Sequence, residues 1–284
     1  MAWRLRYASH LGFRSLDSPL FAASVGNSDP VAHLEFAQGL GFAGVQDALV
    51  RQRSSQEADR IGQALAKASL EPGCVLYAPM QVVTAPLWGS ASTSDRELRM
   101  RELGLAIEAA RRIGARRIAI LSGADTRVPR AFQLARLVDN LREAAEMAER
   151  FDVTLCLEST NSQSLPDMLL QHIGDAYLAV CAVASPRVRL IFDTAHVQIM
   201  DGDLLANLDR VWDAVEIVQV ANVPGRCEPE AGEISIAPLL QRLIDRGYAG
   251  LVELEHFWAT PGVASEKRGI AYLREVDAGL KTSA

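Results

Sequence analysis

The stretch LIFDTAHVQIMDGDL, residues 190–204, decides the fold. Its apolar run 190–192 predicts a short buried strand, and the amphipathic run 204–212 predicts the next helix. Asp193 and His196 lie between the two, so the junction of strand and helix carries ionisable groups. Junctions of this kind are typical of the active end of an αβ barrel, where the carboxyl ends of parallel strands converge around a cleft.

Three further junctions repeat this pattern. CLESTN ends a predicted strand at Glu158, VQVANVPGR ends one at Gln219, and LVELEHFW ends one at Glu255. Along the chain we predict strands at 4–10, 44–48, 73–77, 117–121, 153–158, 188–193, 215–220 and 251–255, with helical segments between them. The sequence therefore predicts a (β/α)8 TIM barrel, as a single domain over residues 1–284. A doubly wound sheet would need a Gly-rich phosphate turn after the first strand, which HLGF at 10–13 does not supply.

Local signals predict where several helices and loops begin. The capping box SSQE at 54–57 predicts the start of a helix, and SDRE at 94–97 predicts the start of a longer one. Residues 166–183 are predicted to form one helix. The long connection 78–93, rich in Pro, Gly and Ser and containing Trp88, is predicted to be a functional lid.

Composition bounds the class of protein. The chain has a formal net charge of -6 and a pI near 5.5, which argues against general affinity for nucleic acid or anionic membranes. No leader-like apolar segment and no run of 18 uncharged apolar residues is present. The four cysteines show no CxxC spacing, which favours a reduced, cytoplasmic setting. We expect a small-molecule substrate as the partner, and leave a homo-oligomer open.

Four strand-end side chains predict a metal site. By strand parity Glu158, Asp193, Gln219 and Glu255 are the last inward residues of four adjacent strands. Three carboxylates held together repel one another unless a cation lies among them. Because all four donors are oxygens, we predict a divalent metal ion of the hard class, Mg2+ or Mn2+.

FDTAHVQIMDGDL (192–204), VQVANVPGRCEPEAGEI (218–234) and GYAGLVELEH (247–256) resemble the signature blocks of the hydroxypyruvate isomerase family, within the xylose isomerase-like barrels. The resemblance implies a metal-assisted aldose–ketose isomerisation through an enediolate, of hydroxypyruvate to tartronate semialdehyde or of a close relative. It also implies that Glu158, Asp193, Gln219 and Glu255 are metal ligands, and that Glu158 and Glu255 double as the catalytic acid/base pair.

Several residues around this set receive weaker predictions. His196, His10 and Arg226 are predicted to bind substrate, Arg226 through a fork to a carboxylate or, alternatively, by pairing with Glu228 or Glu233. Asn161 is predicted to support Glu158. The sequence departs from the family pattern at five positions, where it has His10, Gln46, Ala195, Cys227 and Glu253. Glu253 replaces a small Gly and points into the barrel, where it needs a partner, and Arg189 is the predicted one.

Other functions stay open at this level. A ketose 3-epimerase or a hydroxy-ketone dehydratase needs the same enolate chemistry, although Gln219 favours the isomerase because similar epimerases tend to use His there. A phosphodiester hydrolase that acts on DNA needs several zinc-binding histidines and a basic face, whereas this chain has five His and is acidic. A catalytically inactive barrel used for binding is the third alternative, and the altered residues at 195, 227 and 253 are its support.

Overall fold

Short parallel strands, most of whose residues are buried, build the centre of the molecule. The computed structural model describes residues 2–281, and within them nine strands form one sheet in the order β3-β2-β1-β9-β8-β7-β6-β5-β4. The strands are β1 (Arg6–His10), β2 (Gly44–Gln46), β3 (Glu71–Pro72), β4 (Val75–Leu76), β5 (Arg117–Ile120), β6 (Thr154–Glu158), β7 (Val188–Asp193), β8 (Val215–Gln219) and β9 (Leu251–Glu253).

The two ends of this sheet are consecutive pieces of one chain segment. The N–H of Gly73 donates to the carbonyl of Val45 in β2, and the N–H of Tyr77 donates to the carbonyl of Ala119 in β5. Strands β3 and β4 are therefore the two halves of the third barrel strand, interrupted at residues 73–74. The sheet closes on itself with eight barrel strands, which confirms the predicted (β/α)8 TIM barrel.

Helices follow the strands around the outside. They are α1 (Ala22–Val25), α2 (Pro30–Gly39), α3 (Ser55–Ala68), α4 (Met80–Val83), α5 (Thr93–Ile113), α6 (Arg130–Arg150), α7 (Ile173–Val183), α8 (Thr194–Met200), α9 (Leu204–Val211), α10 (Ile236–Asp245) and α11 (Val263–Gly279), with 3-10 turns at Val50–Gln52 and Trp212–Ala214. The predicted capping box at 54–57 is confirmed, because the Ser54 side chain accepts from the N–H of Glu57. The box predicted at 94–97 is wrong: Ser92 caps α5 and accepts from the N–H of Asp95.

The predicted lid at 78–93 is anchored in the core. Trp88 is fully buried, packs edge-on against Tyr77 and lies under the guanidinium of Arg99. Asn140 of α6 donates to the carbonyl of Trp88 at 2.8 Å. Trp88 therefore holds this connection against α5 and α6. The Trp88 side chain itself does not cover the cleft.

The helix predicted at 166–183 begins only at Ile173. The residues before it run back along the connection that follows β5, where the N–H of Leu169 donates to the carbonyl of Ser122. Asp167 has a φ of 59°, which a continuous right-handed helix excludes. Tertiary pairing thus overrides the helical pattern of the sequence at this point.

A ladder of opposite charges fills the lower end of the barrel, where the strands begin. Arg6 of β1 contacts Glu71 of β3 at 2.6 Å, and Arg117 of β5 contacts both Glu71 at 2.5 Å and Glu216 of β8 at 2.8 Å. Strands β5 and β8 are not neighbours in the sheet, so Arg117 reaches across the barrel. The ladder ties four barrel strands together at the end opposite to the predicted site.

Two further findings concern the chain as a whole. Within residues 2–281 we find no helix with the length and apolar character needed to cross a bilayer. All four cysteines are free thiols; Cys74, Cys156 and Cys227 are buried and Cys181 is exposed.

Candidate active site

The upper end of the barrel brings together the four residues predicted as metal ligands. Asp193 ends β7 and lies level with Gln219 at the end of β8, while Glu158 ends β6. Strand β9 ends at Glu253, so Glu255 follows on the loop and not on the strand as predicted, but its side chain is buried in the same cluster. The side chain of Asp193 also caps α8, since it accepts from the N–H of His196 at 2.9 Å.

Arg226 lies at the centre of this cluster. Its Nη2 contacts Asp193 Oδ2 at 2.6 Å and also Glu255 Oε2, and the side chain is only 8% exposed. The predicted alternative, a pair with Glu228 or Glu233, is wrong, because the loop before Arg226 turns its side chain into the barrel. The guanidinium thus balances part of the negative charge that the sequence predicted.

His196 stands beside Glu158, with Nε2 at 3.5 Å from Glu158 Oε1. Its Nδ1 accepts from the backbone N–H of Asn161 at 2.9 Å and contacts the Asn161 side-chain amide at 2.7 Å. Asn161 therefore supports His196 and not Glu158 as predicted. Because Nδ1 is used as an acceptor, the neutral ring carries its proton on Nε2, and His196 acts in the site as a hydrogen-bond donor.

Burial and mutual repulsion set the pKa values of the carboxyl groups. Burial, together with the charges of Glu255 and Asp193, raises the pKa of Glu158 well above its usual value. Burial also raises the pKa of Glu255 to about 7, although Arg226 opposes the shift. Burial would raise the pKa of Asp193 too, but Arg226 and His196 hold it below its usual value. Burial lowers the pKa of His196 to about 4, so its ring is neutral at pH 7.

The donor atoms fit a divalent cation. Gln219 Oε1 is buried and has no hydrogen-bond partner among the described residues. An unsatisfied buried acceptor costs about 1–3 kcal/mol, so a free amide oxygen on a residue that lines the cavity is available to a cation or to a hydrogen-bond donor. One atom each of Glu158, Asp193 and His196 also lie within 4.8 Å of one another. We assign the imidazole a donor role for the reason given above, so the carboxylates and Gln219 stay the predicted ligands.

Glu158, His196, Gln219, Arg226 and Glu255 line one half of a cavity of about 390 Å3, and Asp193 lies behind this lining in contact with Arg226. The charged half of the cavity comes from β6 to β9 and from the loops after them. The opposite half comes from barrel strands two to four and from α4, and it is largely apolar, with Ala48, Leu76, Met80, Ala119 and Leu121 as its lining. Phe13 and Arg14, from the loop after β1, also line the cavity.

Two predictions for neighbouring residues need correction. His10 is buried below the cavity wall: its Nε2 contacts the carbonyl of His256 and its Nδ1 accepts from the N–H of Gly12, so neither nitrogen is directed to a substrate. Arg189 does not pair with Glu253, because it lies near the start of β7 and donates to the carbonyl of Asp213 instead. Glu253 is level with Gln219, at the opposite end of the barrel strands.

Sequence reasoning gave no role to Gln46 or Cys74, although both line the cavity. Gln46 Nε2 donates to Glu255 Oε1 at 2.8 Å and to Glu253 Oε2 at 3.1 Å. A polar side chain at the end of the second strand was the available signal, since it repeats the pattern of the four predicted ligands.

Comparison with known proteins agrees with this architecture. The family model for the xylose isomerase-like TIM barrel matches residues 34–276. The chain belongs to this family. Within the xylose isomerase-like family it is 29% identical to the hydroxypyruvate isomerase of Escherichia coli K12 over 236 residues, covering 81% of this chain and 89% of the relative. It is 32% identical to the 2-oxo-tetronate isomerase of Cupriavidus necator over 172 residues, covering 59% of this chain and 65% of the relative.

A solved structure described as an AP endonuclease of family 2 from Brucella melitensis superposes with a TM-score of 0.79 at 27% identity, covering 95% of this chain and 98% of that one. The relatives named as isomerases indicate that the xylose isomerase-like chain described here is an isomerase.

Proposed function

We propose that the protein is a divalent-metal-dependent isomerase of a small hydroxy-carbonyl acid, such as hydroxypyruvate or a close relative. The observation that carries the proposal is that Glu158, Glu255 and Gln219 line one cavity, with Gln219 Oε1 unpartnered and Asp193 joined to Glu255 through Arg226, in a chain whose relatives are named as isomerases. Mg2+ or Mn2+ suits four oxygen donors. When bound, the cation stabilises the negative charge that develops on the two substrate oxygens of an enediolate.

Moving a carbonyl by one carbon requires proton transfer, and two carboxyl groups are placed to carry it out. In hydroxypyruvate one C–H bond at C3 breaks, one C–H bond forms at C2, and one proton moves between the two oxygens, so tartronate semialdehyde forms without any other reactant. Glu158 and Glu255 are the proposed acid/base pair. Both carboxyl groups line the cavity, so each can reach a substrate bound there.

The contact between His196 and Arg226 supports a place for a substrate oxygen. Their Nε2 and Nη1 atoms lie 3.2 Å apart, and both are donors in the tautomer that Asn161 imposes. Two donors side by side gain most when an anionic oxygen accepts from both of them. We therefore keep His196 and Arg226 as substrate-binding residues, now acting as a pair.

The test is turnover by protein loaded with Mn2+. Hydroxypyruvate is added and tartronate semialdehyde is followed by NMR, with EDTA-treated protein and Glu158→Gln as inactive comparisons. The control variant is Glu146→Gln, which removes an ion pair with Arg150 whose two side chains are both exposed, and it should leave turnover unchanged. We expect a loss of at least about 100-fold in kcat for Glu158→Gln, as for other general acid/base groups.

The same samples test the alternatives. The turnover assay is repeated with ketoses in place of hydroxypyruvate, and 3-epimers or dehydration products are looked for. A gel-shift assay with abasic DNA tests the hypothesis of a phosphodiester hydrolase. Metal binding without turnover of any of these substrates would favour the inactive barrel. If hydroxypyruvate is not turned over but a ketose is, the proposed substrate class is overturned but the metal site is not.

A further inference from the structure

Below the proposed metal site, a buried carboxylate contacts two glutamine side chains at once. Glu253 is 1% exposed, and its Oε2 accepts from Gln46 Nε2 and Gln219 Nε2, each at 3.1 Å. Glu255 Oε1 accepts from the same two amide nitrogens at 2.8 and 3.1 Å. Each NH2 group therefore has two carboxylate acceptors for its two hydrogens.

The carbonyl ends of the same two amides are free. Gln46 Oε1 and Gln219 Oε1 are both buried and lack a hydrogen-bond partner within residues 2–281. Both residues line the cavity. A buried acceptor is rarely left unpaired, so two of them at the wall of one cavity indicate groups that meet a ligand.

The barrel makes room for Glu253 at the interruption of its third strand. The backbone N–H of Cys74, between β3 and β4, donates to Glu253 Oε1 at 2.7 Å and not to a neighbouring strand. A Cβ on Gly73 would lie 2.5 Å from Glu253 Oε1 and 2.8 Å from Gln46 Cβ. Gly73 therefore leaves the space that the carboxylate occupies, and Cys74 fixes which of its oxygens faces the two amides.

We propose that Glu253 is a positioning residue that fixes the amide orientation of Gln46 and Gln219, so that Gln219 Oε1 binds the cation and Gln46 Oε1 accepts from a substrate hydroxyl. Without Glu253, each NH2 group keeps Glu255 Oε1 as its one carboxylate acceptor, so either amide rotates more readily and presents an N–H group to the cation, which repels it. The inference rests on the proposed function for the cation. The orientation of the amides, however, can be measured without any metal.

The first experiment measures Mn2+ affinity by isothermal titration. In Glu253→Gln the new NH2 group faces the NH2 groups of its neighbours, so one amide must turn over, and we expect Mn2+ affinity to fall by about 10–100-fold. Gly73→Ala should weaken binding in the same direction because it displaces an unchanged carboxylate. The control is Glu71→Gln, which removes two ion pairs at the lower end of the barrel and should leave Mn2+ affinity unchanged.

An isosteric exchange separates orientation from packing. Gln219→Glu alone places a further carboxylate beside Glu253 and Glu255. Combined with Glu253→Gln, it restores a donor facing an acceptor between positions 253 and 219. Because the added charge alone favours Mn2+, we expect the double variant to gain more affinity over Glu253→Gln than Gln219→Glu gains over wild type, and an equal gain would overturn the orienting role.

The second measurement follows the side-chain amides by NMR after selective 15N labelling of glutamine. In metal-free wild type the NH2 protons of Gln46 and Gln219 should exchange slowly with water, and in Glu253→Gln at least one of the two should exchange faster. If wild type binds no divalent ion but shows this protection, the proposed metal function fails while the positioning role of Glu253 stands. If wild type binds Mn2+ and Glu253→Gln matches it in affinity and in amide exchange, the positioning role fails alone.

Discussion

Replacing Arg226 with Met should destabilise the protein, because it removes a positive charge from among the buried carboxylates at the upper end of the barrel. The variant leaves Asp193 and Glu255 buried without their shared guanidinium. Removing one partner of a buried ion pair costs about 3–5 kcal/mol, because the remaining charge stays desolvated. Unfolding of 284 residues carries an entropy of about 0.6 kcal/mol/K, so this cost corresponds to a fall of about 5–8 °C in Tm.

Urea denaturation followed by tryptophan fluorescence at pH 7.5 in EDTA measures the free energy of unfolding. Arg127→Met is the matched control, because that side chain is 86% exposed and its pair with Asp125 should contribute less than about 1 kcal/mol. Adding Mn2+ should recover part of the loss in Arg226→Met, since a cation among the carboxylates replaces the missing positive charge. A loss no larger than that of Arg127→Met would refute the central role assigned to the guanidinium.

Three further predictions follow from other contacts. Mn2+ affinity should fall by up to about tenfold per pH unit as pH drops below 7, because Glu255 has a pKa of about 7 and must release its proton to bind a cation; equal affinity at pH 5 and 8 in titration calorimetry would contradict this. Trp88→Ala should lower the free energy of unfolding by about 3–5 kcal/mol with KM unchanged, whereas a lid residue would change KM. Gly62→Ala should lower Tm, since its Cβ would lie 2.2 Å from the carbonyl oxygen of Arg112 and force α3 away from α5; an unchanged melting curve would show that the helices adjust freely.

The barrel was predictable because strand periodicity and strand-end chemistry are local. The apolar run before Asp193 predicts a strand over 188–193, and β7 has these bounds. Features that depend on contacts with residues distant in sequence were predicted wrongly. Residues 166–172 resemble a helix in sequence, but they pair with the connection after β5 and stay irregular.

The candidate site likewise contains residues whose positions the sequence predicts and residues whose positions it does not. Strand parity together with the position of each residue at a strand end predicted that Glu158, Asp193, Gln219 and Glu255 lie at one end of the barrel. The position of Arg226 was not predictable, because it is 33 residues from Asp193 and 29 from Glu255 and a turn decides where its side chain points. The partner of Glu253 was predicted wrongly because parity gives the face of a strand and not the height along the barrel, and Arg189 lies four residues before the level of the site.

The charge ladder at the lower end has a kinetic consequence. Arg117 and its two glutamates cross the barrel at that end, so we expect reactant and product to pass through the cavity at the upper end, which Phe13 and Arg14 help to line. Product must therefore leave by the same route through which reactant enters. Accumulated product should therefore compete with incoming reactant, and slow egress can limit the rate even when proton transfer is fast.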